Sequence, residues 1–232
     1  MTFSIVARDP HTGMMGVAVS TKNLAVGALV PFAKSNIGAI ATQATTNPML
    51  GINGLDLLRQ HDAETTLQQL LRQDVGRDHR QIHLVDRDGK TAAWTGPDCV
   101  EWGGHLTFAN VSIAGNMLVS SDTIQAMADA YHTHTDIVFS ERLLLALTAG
   151  QSAGGDKRGR QSAALYIVDD QIYPFLDLRV DDHSHPINEL KRLLVESQQD
   201  YYQDFRRSLP TRTSAWGQVD SLSTSSSIAV QP

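Results

Sequence analysis

The sequence predicts an α+β fold of two stacked, largely antiparallel sheets covered by helices on their outer sides. Three observations predict it. Strand-like runs arrive in hairpin groups, helical patterns arrive in pairs between those groups, and the strict strand–helix alternation of a doubly wound parallel fold is missing. The chain of 232 residues is long enough for one large domain and only marginally long enough for two, so a single domain is expected.

The first run, residues 3–8, is rich in β-branched and aromatic residues, and Asp9-Pro10-His11-Thr12-Gly13 follows with strong turn chemistry. Residues 16–21 are nearly apolar on both faces, as a strand sandwiched between two layers must be, so the two runs form a hairpin. A third strand at 38–43 is built from small residues that permit close approach by a second sheet. Two helices follow: Leu55, Leu57 and Leu58 lie within the first, while Ala63, Leu67, Leu70 and Leu71 share one face of the second. Residues 81–86 and 91–95 flank Arg87-Asp88-Gly89-Lys90, whose Asp-Gly pair marks another hairpin.

A second helical pair begins near Asp122, with Ile124, Met127, Ala128 and Tyr131 as its apolar stripe. Ser140 is placed to cap the next helix and Gly150 to end it. Residues 163–168 read as a buried strand, and Pro186 sits at the first turn of a helix carrying Ile187, Leu190 and Leu194. After Ser208 the chain turns polar and repetitive, with Thr211-Arg212-Thr213-Ser214 and a serine-rich run at 221–227. The expected organisation is therefore a folded domain at 2–207 and a flexible Ser/Thr-rich tail at 208–232.

Composition narrows the function. A net charge of -6, with no basic run longer than Lys157-Arg158-Gly159-Arg160, disfavours a nucleic-acid surface. The single cysteine, Cys99, forms no internal disulfide and suits a reducing cytoplasm. No stretch approaches the roughly 20 apolar residues that cross a bilayer, and the N-terminus lacks a signal peptide's regions. The expectation is a cytoplasmic homo-oligomer with no membrane or nucleic-acid partner, needing no cofactor, whose partner is a small-molecule amide substrate.

Thr2 is the first chemical candidate. Removal of Met1 leaves a threonine whose α-amine, of unperturbed pKa roughly 7.7 to 8.0, is partly deprotonated near neutrality and can accept the hydroxyl proton. Nucleophile and base then share one residue; the alternative is a threonine that merely starts a strand. The segment from Thr2 to Lys22, with T-F-S-I-V-A-R-D, T-G and G-V-A-V-S-T-K, resembles the opening of N-terminal-nucleophile hydrolases. A-T-Q-A-T-T-N-P at 41–48, G-L-D-L-L at 54–58, T-G at 95–96, G-N at 115–116, G-G-D-K-R-G-R-Q-S-A-A-L at 154–165 and R-V-D-D-H at 179–183 resemble a bacterial family known as domain of unknown function 1028. That family is assigned to the N-terminal-nucleophile hydrolase superfamily, and the resemblance covers about residues 2 to 197.

The resemblance implies a four-layer αββα sandwich and amide hydrolysis through Thr2. It also implies that Lys22, a cation near the first strand, lowers the pKa of the N-terminal residue; the alternative is a solvated strand-end lysine. Acyl transfer needs donors aimed at the developing oxyanion, and the amides of Gln43 and Asn116 are suitable, or else they satisfy buried backbone groups. Asp156 is a candidate to orient Thr2 or Lys22. Arg160 can hold a carboxylate, with Thr45 and Asn47 as further substrate-binding candidates, unless Asp156 and an arginine form a structural salt bridge.

Two other constellations carry chemistry. Asp181, Asp182, His183 and His185 are proper ligand types for a metal-dependent hydrolase, with Asp182 and His183 the better candidates. Adjacent extended residues point oppositely, so capping of the helix at Pro186 competes with that reading. Cys99 and His105 are a thiol and a base close in sequence, and Trp94 and Trp102 line a pocket or pack a core. A non-catalytic binding or assembly subunit with the same fold is the remaining alternative.

Overall fold

The computed structural model describes residues 2–214. Most of the segment read as a tail, 215–232, lies outside the described residues. The chain divides into two compact units, the first running to Leu193 and the second starting at Leu194.

The first unit holds two antiparallel sheets. One has six strands in the order β10-β9-β2-β1-β8-β7, and the other four in the order β3-β4-β5-β6. The first contains β1 (Thr2–Arg8), β2 (Met15–Thr21), β7 (Gly104–Phe108), β8 (Val111–Asn116), β9 (Ser162–Val168) and β10 (Leu176–Val180). The second contains β3 (Pro31–Lys34), β4 (Gly38–Ala44), β5 (Arg80–Asp86) and β6 (Thr91–Thr95). The expected hairpins are present, with Thr2 opposite Thr21 and Gln81 opposite Thr95. Strand β3 lies where no element is expected. Its Pro31, at the first residue of an edge strand, sacrifices no interior ladder bond.

The sheets pack face to face, because the central strands of both are buried on both faces. Part of the layer between them is apolar: Val6, Met15, Val17 and Val19 meet Ala39, Ala41 and Val85. Small alanines on β4 allow this close approach. The outer face of the second sheet, with Ile40, Ile82 and Leu84, packs against α1 (Pro48–Leu57) and α2 (Ala63–Gln73). Helices α3 (Asp122–Thr133) and α4 (Phe139–Ser152) cover the other sheet, where Phe139 and Leu143 lie over Gly16. The architecture is thus a mixed α+β sandwich of two antiparallel sheets with helices outside.

Two details correct the sequence reading. Ser140 does not cap α4: Val138 stands at its N-cap without a side-chain hydrogen bond, and Ser140 is the second helical residue. Gly150 does not end α4, which continues to Ser152. A Cβ at Gly150 would lie 2.6 Å from Met127 Cγ, so the glycine serves the α3–α4 crossing.

Helix α5 (Pro186–Ser197) starts at the expected proline. The second unit adds α6 (Asp200–Ser208), where Gln203 Nε2 donates to Ser197 O at 2.6 Å and Tyr202 stacks at a tilt on Phe205. Among the described residues, no helix is long and apolar enough to cross a membrane.

Candidate active site at the start of the first strand

Strand β1 is interior to its sheet, flanked by β2 and β8. Period-2 alternation sends Phe3 and Ile5 to one face and Thr2, Ser4 and Val6 toward the other sheet. Val6 joins the apolar cluster, but Ser4 and Thr2 enter a polar region of the same layer. There they meet inward-facing residues of β4, β5 and β8: Gln43, Gln81, His83, Ser112 and Asn116, all buried.

Thr2 is 5% exposed, with Thr21 opposite it on one side and Asn116 on the other. Its Oγ1 lies 3.2 Å from Thr21 Oγ1. Its carbonyl receives two long contacts of 3.5 Å, from Gln43 Nε2 and Asn116 Nδ2. These amides also donate to Gln81 Oε1, at 2.7 Å and 3.0 Å. The geometry therefore realises the alternative that the sequence left open for Gln43 and Asn116: their hydrogens satisfy buried oxygens, one of them the Thr2 carbonyl.

Around this point the polar groups satisfy one another in a definite direction. The Ser4 hydroxyl donates to Gln43 Oε1 at 2.7 Å, so the contact of 2.8 Å between Ser4 Oγ and His83 Nε2 has the imidazole as donor. His83 Nδ1 then accepts from Ser112 Oγ at 3.1 Å. Burial, reinforced by the nearby His105, pushes the His83 pKa down to about 3, so the ring is neutral.

The other candidates fall around this cluster. Lys22 follows Thr21, but its side chain is exposed; its backbone N–H donates to Asp156 Oδ2 at 2.8 Å. Asp156, 3% exposed, also accepts from the Arg158 N–H at 2.8 Å and pairs with the Arg158 guanidinium at 3.3 Å. Asp156 thus holds the main chain after β2, and the salt bridge expected there involves Arg158 rather than Arg160. Arg160 instead lines a recess of about 100 Å³ with Gln151, His185 and the first turn of α5.

Asn47 caps α1, its Oδ1 accepting the Met49 N–H at 3.2 Å, and Thr45 O accepts from Arg80 Nη1 at 2.5 Å. Asp181 pairs with Arg179, Asp182 Oδ1 accepts from Gln161 Nε2 at 3.1 Å, and His183 Nδ1 accepts the His185 N–H at 2.9 Å. Among the described residues no group of three or more His, Cys, Asp or Glu is arranged to hold a metal ion. Cys99 and His105 do not pair: the thiol donates to Arg80 O at 3.2 Å, and His105 Nδ1 contacts Thr95 Oγ1 at 2.9 Å. Burial raises the Cys99 pKa, which disfavours the thiolate. Trp94 donates from its indole to Arg77 O at 2.9 Å, while Trp102 packs over Gly104.

Sequence reasoning missed Ser4, Gln81, His83 and Ser112. The signal was on β5, where Gln81 and His83 alternate with Ile82 and Leu84. A strand apolar on its outer face and polar on its inner face, inside a two-sheet stack, announces a buried polar network.

Fold and site together define a two-sheet α+β sandwich with a polar cluster gathered at the start of a central strand. The chain belongs to the family of unknown function DUF1028, whose family model matches residues 2–190. It is similar to a Silicibacter pomeroyi protein of that family, of known crystal structure. That likeness is 34% identity over 94% of this chain and 99% of that chain, with a TM-score of 0.87. The likeness to the ancestral β-subunit Anbu from Yersinia bercovieri is slight: 10% identity over 87% of this chain and 97% of that chain, with a TM-score of 0.39. No curated protein matches the chain.

Proposed function

We propose that the chain is an N-terminal-nucleophile amidohydrolase with a four-layer αββα fold, acting through Thr2 once Met1 is removed. The observation that carries this reading is the position of Thr2: first residue of an interior strand, facing the other sheet, with its hydroxyl beside Thr21 and its carbonyl facing two side-chain amides.

In the proposed cycle the Thr2 amine takes the Oγ1 proton, and Oγ1 attacks the substrate carbonyl carbon. Collapse of the tetrahedral intermediate breaks the C–N bond; the leaving nitrogen takes the proton held by the Thr2 amine, and the acyl group stays on Oγ1 as an ester. Water, deprotonated by the same amine, adds to the ester, releases the acid and restores Thr2. Gln43 and Asn116 serve here by placing Thr2. Thr21 Oγ1 supports the nucleophilic oxygen, and Asp156 fixes the chain leading to Lys22. Exposed Lys22 acts on the site through screened charge and favours a small amide or peptide-like substrate with an anionic group. Arg160, Thr45 and Asn47 take no step in this scheme.

Intact-mass analysis before and after treatment with a β-lactone, which acylates nucleophilic hydroxyls, tests the reading. The expected result is a chain lacking Met1 that gains one acyl group on Thr2, retains labelling in Thr2→Ser and loses it in Thr2→Ala. Retained Met1, or undiminished labelling of Thr2→Ala, overturns it.

A further inference from the structure

Gln81 is fully buried on β5, in the sheet opposite Thr2. Its Oε1 accepts from Gln43 and Asn116, on β4 and β8. Its Nε2 faces three acceptors: Thr95 Oγ1 at 2.8 Å on β6, Gly104 O at 3.1 Å on β7 and Gly115 O at 2.9 Å on β8. This surrounding fixes the orientation of the amide, because a flip would set nitrogen against two amide donors and oxygen against two carbonyls. One side chain therefore ties together strands of both sheets, without touching Thr2.

Its neighbours do touch Thr2. Each amide that Gln81 holds has a second hydrogen, and both amide nitrogens lie 3.5 Å from the Thr2 carbonyl. The amine of Thr2 is carried on the Cα next to that carbonyl and the hydroxyl on the adjoining Cβ. Holding the carbonyl between two amides therefore restrains the backbone from which both groups extend. Elsewhere in the same layer valines, alanines and Met15 pack without polar side chains, so joining the sheets needs no buried amides. The polar residues are concentrated around Thr2.

We infer that Gln81 is a positioning residue for Thr2, acting through Gln43 and Asn116, which it orients on the Thr2 carbonyl. This rests on the proposed role of Thr2, and the test separates the two. The rate of Thr2 acylation by the β-lactone is measured against pH, per folded molecule, in wild type and four variants. Gln81→Met keeps the volume and removes every hydrogen bond; Thr95→Val removes one anchor of Gln81 and leaves its Oε1 contacts; Leu70→Ala destabilises the core under α2, away from Thr2.

Gln81→Met should acylate at least about tenfold more slowly with a displaced pH profile, since small misplacements of reacting groups cost factors of this size or more. Thr95→Val should slow a few-fold, Gln81→Glu should recover part of the rate by restoring the acceptor, and Leu70→Ala should match wild type. Wild-type rate and profile in Gln81→Met overturn the inference. If that variant does not fold, the same result in Thr95→Val overturns it. If wild type itself is not acylated, the hydrolase reading fails, and the inference is judged on the ¹³C shift of the Thr2 carbonyl. That shift should move in Thr95→Val and not in Leu70→Ala; no movement in Thr95→Val overturns the positioning role.

Discussion

His83 Nε2 lies 2.8 Å from Ser4 Oγ, joining two fully buried side chains from facing sheets. Because Ser4 passes its own hydrogen to Gln43, the imidazole must donate from Nε2, and Nδ1 of the neutral ring faces the Ser112 hydroxyl, which also lies 3.4 Å from Leu106 O. Protonation would put an unpaired charge in the sheet–sheet layer.

Stability should therefore fall on acidification through this one group. The folded-state pKa of His83 is about 3, against 6.5 unperturbed, so below 6.5 the unfolded chain binds a proton that the native chain refuses. The contribution is fully present above pH 6.5 and is lost as pH falls toward 3. It amounts to a few kcal/mol in order of magnitude. Urea unfolding between pH 7 and pH 4 should show this slope in wild type and a shallower one in His83→Gln, whatever the variant's absolute stability. Parallel pH dependences would contradict it.

Close packing makes a second prediction at Gly51 on α1. A Cβ there would lie 2.2 Å from Phe32 Cδ2, with two further ring atoms within 2.6 Å, so the helix or the β3 ring must move. Gly51→Ala should cost about 1–3 kcal/mol, the usual range for overpacking. At Gly13 nothing lies within 4 Å of an added Cβ and only a φ of +78° resists substitution. Gly13→Ala should cost about 1 kcal/mol. Chemical denaturation of the pair gives the ranking, and a more stable Gly51→Ala than Gly13→Ala would refute it.

The elements read most clearly from the sequence were those with both faces buried or with distinctive turns. Strands β1 and β2 flank Pro10 and Gly13, and β5 and β6 flank Asp88-Gly89, so pattern and turn chemistry agree. Strands β3, β7 and β10 escaped because they are short and only partly buried, and Gly104-His105-Leu106-Thr107-Phe108 has no firm apolar alternation; β8 escaped although fully buried, because Ser112, Gly115 and Asn116 interrupt its apolar run. Thr2, Gln43 and Asn116 stood out by residue type at strand ends. Gln81 and His83 did not, because their meaning depends on what the opposite sheet presents, and that is set by tertiary pairing rather than by local spacing. Asn47 and Asp156 were noticed for their chemistry, and each accepts a backbone N–H.

Asp156 gives the third prediction. Its carboxylate accepts the N–H groups of Lys22 and Arg158, and a buried donor left without an acceptor costs about 1–3 kcal/mol. Asp156→Ala should lower stability by that amount or somewhat more, and Asp156→Asn, which keeps one acceptor, by less. Arg158→Ala should cost under about 1 kcal/mol, because its side chain is 38% exposed and both backbone donors remain. Urea midpoints of the three variants check the order. A loss in Arg158→Ala equal to that in Asp156→Ala would show that the ion pair, not the backbone contacts, dominates.

Asn47 decides between capping and substrate contact. With Pro48 as the first helical residue, the first N–H that α1 needs satisfied is that of Met49, and Asn47 Oδ1 receives it. Replacing an Asn cap with Ala typically costs about 1 kcal/mol, and Asn47→Asp, which keeps the acceptor, should cost little. Asn47→Ala should therefore shift the urea midpoint downward while Thr2 acylation by the β-lactone proceeds at the wild-type rate per folded molecule. Slower acylation at unchanged stability would reverse that assignment and bring Asn47 to the substrate.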